Sequence, residues 1–415
     1  MTTALEHDKA LGAAFNRMWG ASLASNLADG VMIAAAPLLA VTLTKNPILI
    51  SALSGLLMLP WLLFAIPIGV LVDRVDRRYL LAGANATRCL VAGAVVVTIT
   101  QHAITIYGLL LASFVIGACE VVADTTSQSL IPQILRASQF ERGNSRLQIS
   151  ETVIKGFVGA PLSSFLYAAA VFSPFAANGV GYLVAAVLAL LIPVKFLQDL
   201  REAKVEETRT SFITEMKYGV SFLLAHRLLL RLVLTTAATG FFFSLSNATS
   251  VLFILHQLKL KPAFFGALLA IEGLGAIVGG LLAPRLSAHF GRSRVMAVGT
   301  VVSSLLTVVA GLSPNIVFFA VVITVQLFAV TLWNILLMAV YQNTIPPELY
   351  GRIHGTRRTL VWGLMPFGAL LGGVVAKGGL RWPFLIGGSV STLIALFSLR
   401  FFLSLGTDAT ASIES

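Results

Sequence analysis

Apolar runs of about twenty residues, broken by short clusters of Pro, Gly and charge, recur along the whole chain. A bilayer core is crossed by ~20 apolar residues, and within it only closed helices can satisfy their own backbone. The pattern predicts spanning helices over 17–43, 48–72, 79–100, 103–131, 145–171 and 174–195, and six more over 228–255, 262–286, 295–312, 316–344, 355–376 and 382–403. A polar stretch over 198–227 separates the two sets. Within it Phe212, Met216, Val220, Leu223 and Leu224 recur at helical spacing, which predicts an amphipathic helix lying on the cytoplasmic interface. The expected organisation is therefore a cytoplasmic tail over 1–16, a six-helix bundle over 17–197, the linker over 198–227, a second six-helix bundle over 228–404 and a tail over 405–415. The run after the first tail is too long for a signal-peptide core and lacks a cleavage site, so it is expected to remain as a span.

Composition agrees with lipid as the solvent. Hydrophobic residues make up 57% of the chain and charged residues 11%, with a mean hydropathy of +0.89, whereas soluble domains carry ~25% charged residues. A net charge of +11 would raise nucleic acid as a partner in a soluble protein. Here the basic residues fall in short loops, so orientation accounts for them and no nucleic-acid partner is expected. With both termini inside, the outer loops hold only Lys45, Lys259, Lys261, Lys377 and Arg381. Arg88 and Lys155 lie within helices, and the rest of the 29 basic residues fall on the inside, which places both ends in the cytoplasm. Cys89 and Cys119 sit in apolar runs and read as packing, not as a disulfide or zinc framework.

The halves repeat. Gln128-Ser129-Leu130-Ile131-Pro132 ends the fourth span, and Gln342-Asn343-Thr344-Ile345-Pro346 ends the tenth, 214 positions later. Val75-Asp76-Arg77-Arg78 follows the second span, and Phe290-Gly291-Arg292-Ser293 follows the eighth, 215 positions later. Two such matches at nearly one offset indicate duplication. Parallel six-helix repeats are a transporter architecture, with a site near the midplane.

Gly69-Val70-Leu71-Val72-Asp73-Arg74-Val75-Asp76-Arg77-Arg78 resembles the loop signature Gly-x-x-x-Asp-Arg-x-Gly-Arg-Arg/Lys of the major facilitator superfamily, departing from it at Asp76. Glu141-Arg142-Gly143-Asn144-Ser145-Arg146-Leu147, Gly159-Ala160-Pro161 and Tyr218-Gly219-Val220-Ser221-Phe222-Leu223 resemble its drug and siderophore exporter branch, the one that contains enterobactin and macrolide exporters. The resemblance implies an all-α membrane protein of twelve transmembrane helices in two six-helix pseudo-repeats, the major facilitator fold.

Asp29, Glu120, Asp124, Glu151 and Glu272 lie inside predicted spans. A charge at mid-bilayer costs at least ~2.5–3.5 kcal/mol, so each must be paired, face water or hold a proton. Asp29 lies twelve residues beyond Arg17, roughly 18 Å deep. It is either a proton-exchanging carboxyl or a packing carboxyl bonded to a neighbour such as Asn26. Glu120 and Asp124 share one face of the fourth span. Counted from Pro132, Glu120 is roughly 18 Å and Asp124 roughly 12 Å from the cytoplasmic end. The family resemblance assigns Asp124 to an inner latch with Asp73, Arg77 and Arg78, beside Gly69 and Arg74. Glu120 is left as a second coupling group. Glu151 and Lys155, four apart, are expected to pair within their helix, and Arg88 to partner Glu120, Asp124 or Glu151. Glu272 is flanked by glycines at 273, 275, 279 and 280 that favour close helix packing, and is a further candidate for substrate contact. Arg357 and Arg358 are expected to snorkel at the cytoplasmic face.

In the resembled family, helices one, four, seven and ten line the cavity. The corresponding candidates are Asn26, Asp29 and Ile33; Glu120; Phe243 and Asn247; and Gln326, Trp333 and Asn334. This mixture suits an amphipathic, often cationic, small-molecule substrate, since aromatic faces attract cations. No Gly-x-x-x-x-Gly-Lys or His-Glu-x-x-His occurs, so neither ATP-driven transport nor metallohydrolase chemistry is indicated. The six His form no ligand cluster, no nucleophile with a base is evident, and no metal or other cofactor is expected. The expected protein is a monomeric, proton-coupled secondary exporter of the cell membrane. A facilitator without coupling, or a lipid or lysophospholipid translocator on the same fold, is the alternative.

Overall fold

A computed structural model describes residues 11–135, 139, 142–143, 146–147, 150–193, 221–345 and 347–404. Both tails beyond these limits, and most of the predicted linker helix, lie outside the described residues; 221–225 is helical. Among the described residues ten helices are long and apolar enough to cross a membrane, and two shorter apolar helices, Val153–Ala169 and Trp382–Phe397, bring the number to the twelve expected.

The first six spans are α1 (Gly12–Leu43), α2 (Pro47–Arg74), α3 (Arg77–Thr100), α4 (Ile106–Ile134), α5 (Ala160–Ala169, preceded by a π-helical segment Ser150–Gly159) and α6 (Ser173–Leu190). The next six are α7 (Arg227–Asn247), α8 (Phe265–Phe290), α9 (Arg292–Gly311), α10 (Ile316–Thr344), α11 (Pro347–Ala376) and α12 (Trp382–Phe397), the last continued by Leu399–Ser404. Two spans are less regular than expected. The fifth runs π then α: Pro161, just inside α5, has no N–H to return to the preceding turn and its ring crowds a carbonyl there. The seventh breaks after Asn247 into Ser250–Leu252 and a π segment Phe253–Gln257.

Helix starts are capped where the chain supplies oxygen acceptors. Thr105 accepts from Gly108 N–H at 3.1 Å to open α4, and Asn315 from Phe318 N–H at 2.9 Å to open α10. The departure at Asp76 resolves in the same way. Its carboxylate accepts from Arg78 N–H at 2.9 Å and caps α3. At the repeat-related position Gly291 opens α9 with φ +83°, a conformation that favours glycine. The two halves thus make one turn by two different means.

The described residues fall into two compact units: those within 1–43, 59–210 and 262–267, and those within 44–58, 211–261 and 268–415. The first unit packs Phe15, Met18, Leu81, Leu130 and Ile134 into one core cluster. The second packs Leu229, Leu232, Leu337, Tyr341 and Phe402 into another. Large apolar side chains such as Leu90, Tyr107, Phe165 and Phe397 point outward, as expected where the surroundings are lipid.

Candidate functional site

Five spans of the first unit each deliver polar groups to one place. Helix α1 carries Ser25 and Asp29, α3 Arg88, α4 Glu120 and Asp124, the π segment Lys155, and α6 Asn178 and Tyr182. Small residues permit the approach. Gly181 lies against Ala28 and the Ala24 carbonyl, and Gly179 against Ala92. Asn178 Nδ2 donates to the Ala28 carbonyl at 2.7 Å and ties α6 to α1. Gly30 faces the carbonyl of Lys155, and a Cβ on Gly159 would lie 2.6 Å from Gly30 Cα, so only a glycine pair admits this crossing.

Arg88 is the hub. Its Nη2 lies 2.8 Å from Asp29 Oδ1 and 3.9 Å from Glu120 Oε2, and its Nη1 donates to Ser25 Oγ at 2.9 Å. The Tyr182 hydroxyl donates to the same Asp29 oxygen at 2.6 Å, while the guanidinium sits 4.5 Å over the Tyr182 ring. Lys155 Nζ donates to Glu120 Oε1 at 3.0 Å. Burial is graded across this chain of charges. Side-chain exposure is 1% at Arg88 and 10% at Asp29, but 20% at Glu120 and 24% at Lys155. One end is sealed and the other is accessible.

Several expectations are corrected by these contacts. Asp29 is not an unpaired acid, because it holds Arg88 and Tyr182; Asn26 instead donates to Ser22 Oγ at 3.2 Å. Arg88 joins Asp29 first and Glu120 second, not Glu151. Lys155 pairs with Glu120, and Glu151 is exposed. Spacing along one helix leaves that pair possible, but Glu120 on α4 supplies the carboxylate that Lys155 bonds. Asp124 shares the electrostatic field of Glu120, Asp29, Lys155 and Arg88. Its carboxylate makes no hydrogen bond or ion pair among the described residues. Tyr182 and Asn178 were not singled out beforehand, although two polar residues four apart in the apolar α6 are a legible signal.

In the latch region Arg77 Nε donates to Ser129 Oγ at 2.9 Å, and Arg78 lies 4.4 Å over the Tyr79 ring. Arg74 is exposed, a Cβ at Gly69 would meet no neighbour, and the Asp73 and Arg358 side chains lie outside those described. In the second unit Asn247 Nδ2 returns to the Phe243 carbonyl at 3.0 Å. Gln326 is buried and bonded to Ser303 O and Thr307 Oγ1 of α9, which makes it a packing residue, not a cavity one. Trp333 belongs to the apolar core, its indole N–H without a partner among the described residues, while Asn334 and Ile33 are exposed. Arg357 does not snorkel: it is buried, 4.6 Å over the Tyr341 ring. Glu272 is half-buried on α8 and makes no ion pair or hydrogen bond among the described residues. Gly275 and Gly279 beyond it press against Thr324 and Phe328 of α10, the close packing expected of small residues.

A family described as transmembrane secretion effector matches residues 11–414. Macrolide efflux protein A of Streptococcus pyogenes is 22% identical over 388 residues, covering 92% of this chain and 94% of that protein. Its Enterococcus faecalis counterpart is 22% identical over 325 residues, 77% of this chain and 98% of that protein. An uncharacterised major facilitator transporter of Bacillus subtilis, YfiS, is 23% identical over 389 residues, 90% of each chain. Among solved structures a nucleoside transporter, NupG, superposes with a TM-score of 0.75 at 13% identity, covering 94% of this chain and 99% of that one. A bacterial homologue of the iron transporter ferroportin does so at 0.70 and 12%, covering 92% and 98%. The chain thus belongs to the transmembrane secretion effector family of the major facilitator superfamily, and is a multi-pass membrane transporter, not an enzyme.

Proposed function

We propose that this protein is a secondary active exporter of small amphipathic organic compounds, drug- or siderophore-like, which exchanges them for protons by alternating access across the cell membrane. The observation that carries the reading is the charge balance of the cluster on α1, α3, α4, α6 and the π segment. Among the described residues Asp29, Glu120 and Asp124 gather with Arg88 and Lys155, three carboxylates to two cations. An uncompensated charge in a low-dielectric interior costs several kcal/mol, so a proton or a cationic group is needed to neutralise it. Asp29 is held by Arg88 and Tyr182 at the sealed end. Glu120 and Asp124 are therefore the carboxylates through which exchange runs. Glu272, without an ion pair or hydrogen bond among the described residues, is a second proton- or cation-binding group in the other unit.

Export is supported by the similarity to macrolide efflux proteins, and cytoplasmic termini by the lysine and arginine asymmetry of the loops. The test is dye or drug uptake into everted vesicles containing the protein, with an imposed proton gradient, before and after the gradient is collapsed. Accumulation that follows the gradient in the wild type, and is lost in Glu120→Gln, is expected. Flux that ignores the gradient, or survives unchanged in both Glu120→Gln and Asp124→Asn, would turn the reading toward a facilitator. Competition by lysolipids alone would turn it toward a lipid translocator.

A further inference from the structure

Helix α6 is wedged between α1 and α3, and the wedge decides what Tyr182 touches. Asn178 Nδ2 donates to the Ala28 carbonyl of α1 at 2.7 Å, Gly181 lies against Ala28, and Gly179 lies against Ala92 and the Cys89 carbonyl of α3. Tyr182, one turn beyond Asn178, is thereby set between Asp29 of α1 and Arg88 of α3, and it is fully buried. Its hydroxyl donates to Asp29 Oδ1 at 2.6 Å. Its ring lies 4.5 Å beneath the guanidinium that bonds the same oxygen at 2.8 Å, a cation–π contact. Oδ1 thus accepts twice, and each donor favours the charged form of the acid.

The second unit makes the same crossing without these groups. Gly388 of α12 lies against Thr307 and Val308 of α9, and Gly387 lies against the Phe242 carbonyl of α7, as Gly179 and Asn178 meet α3 and α1. Phe242 therefore matches Ala28, and Phe243 stands at the place of Asp29, 214 positions on, the offset of the repeated sequence motifs. Ser391, four beyond Gly387, stands at the place of Tyr182 and is also buried. A serine serves where there is no aspartate. The crossing itself does not need the tyrosine; what Tyr182 adds is its two contacts, to Asp29 and to Arg88.

The other charged groups around Asp29 are Glu120 and Asp124 of α4 and Lys155 of the π segment, with the Cys119 thiol of α4 near Arg88. Arg88 lies 2.8 Å from Asp29 and 3.9 Å from Glu120, so the two acids share it, and its balance depends on how firmly Asp29 is held. We propose that Tyr182 is the positioning residue that keeps Asp29 a fixed anion paired with Arg88, and so confines proton exchange to the carboxylates of α4. The inference rests on Glu120 and Asp124 as exchanging carboxylates, and adds the group that decides which acid takes the proton. Without the hydroxyl, Asp29 Oδ1 keeps only the arginine. A proton on Asp29 then frees Arg88 toward Glu120, whose charge it steadies.

The test is the Tm of the purified full-length protein at about pH 5 and about pH 8, which needs neither substrate nor gradient. Tyr182→Phe keeps the ring beneath Arg88 and removes only the hydroxyl. It should lower Tm by ~2 °C or more at about pH 8. At about pH 5 the loss should be less than half of that, because a donor that favours the anion stabilises only while the acid is ionised. In an Asp29→Asn background Tyr182→Phe should shift Tm by less than ~1 °C, equally at both pH values, since no carboxylate is left to hold. In everted vesicles Tyr182→Phe should keep gradient-driven dye accumulation, with its half-maximal pH lowered by roughly half a unit as Arg88 turns to Glu120. A Tm loss of one size at both pH values and in both backgrounds would make Tyr182 a packing residue and overturn the proposal, as would no loss at about pH 8. If Asp29→Asn does not fold, the pH dependence in the otherwise wild-type chain decides by the same outcomes. Flux that ignores the gradient, together with the expected Tm pattern, would instead remove the exporter reading and leave Tyr182 as the holder of an ionised Asp29.

Discussion

Arg88 Nη2 and Asp29 Oδ1 stand 2.8 Å apart, the arginine side chain 1% exposed and the aspartate 10%. In a soluble protein such a pair competes with water; in a membrane bundle each charge needs the other. Breaking a buried pair from one side costs ~3–5 kcal/mol because the survivor is left uncompensated. Arg88→Gln should therefore cut the folded yield in membranes sharply and lower Tm. Asp29→Asn should do less damage, because Glu120 lies 3.9 Å from the same guanidinium. The double variant Asp29→Asn with Arg88→Gln should recover most of the Arg88→Gln loss. Purified yield and Tm read this directly, and a double variant no better than Arg88→Gln would show that the pair is not the source of the cost.

The glycine contacts make a contrast that stability measurements can read. Gly159→Ala would place a Cβ 2.6 Å from Gly30 Cα, backbone against backbone, with no flexible side chain to yield. Overpacking of this kind costs ~1–3 kcal/mol, and here it also forces α1 and the π segment apart, so transport should fall with Tm. Gly69→Ala, where a Cβ meets nothing, should leave Tm within about a degree or raise it slightly, by reducing the freedom of the unfolded chain. Equal losses at both positions would mean that the Gly30–Gly159 crossing is not a close one.

The loop after α2 separates a structural aspartate from a proposed functional one. Asp76→Ala removes the cap of α3 and should cost ~1 kcal/mol, whereas Asp76→Gly should cost only a few tenths. Asp73→Asn is expected to abolish most transport while protein levels stay near normal, as a latch residue would. Full activity in that variant would remove Asp73 from the transport cycle.

Span number and position were legible in the chain, because lipid makes the length of an apolar run a local property that needs no partner to interpret. The turn after α2 and its repeat before α9, and the presence of two basic residues within spans, were legible for the same reason. Their partners were not. Arg88 meets Asp29 across 59 positions and Lys155 meets Glu120 across 35, and no periodicity along one helix reports on contacts between helices. The expected Glu151–Lys155 pair shows the limit most clearly. It follows from spacing along one helix, whereas Lys155 bonds Glu120 on another. Spans could be read from the sequence because each depends on a stretch of chain and its solvent; the pairing of charges belonged to the tertiary structure, because it depends on which helix faces stand opposite one another.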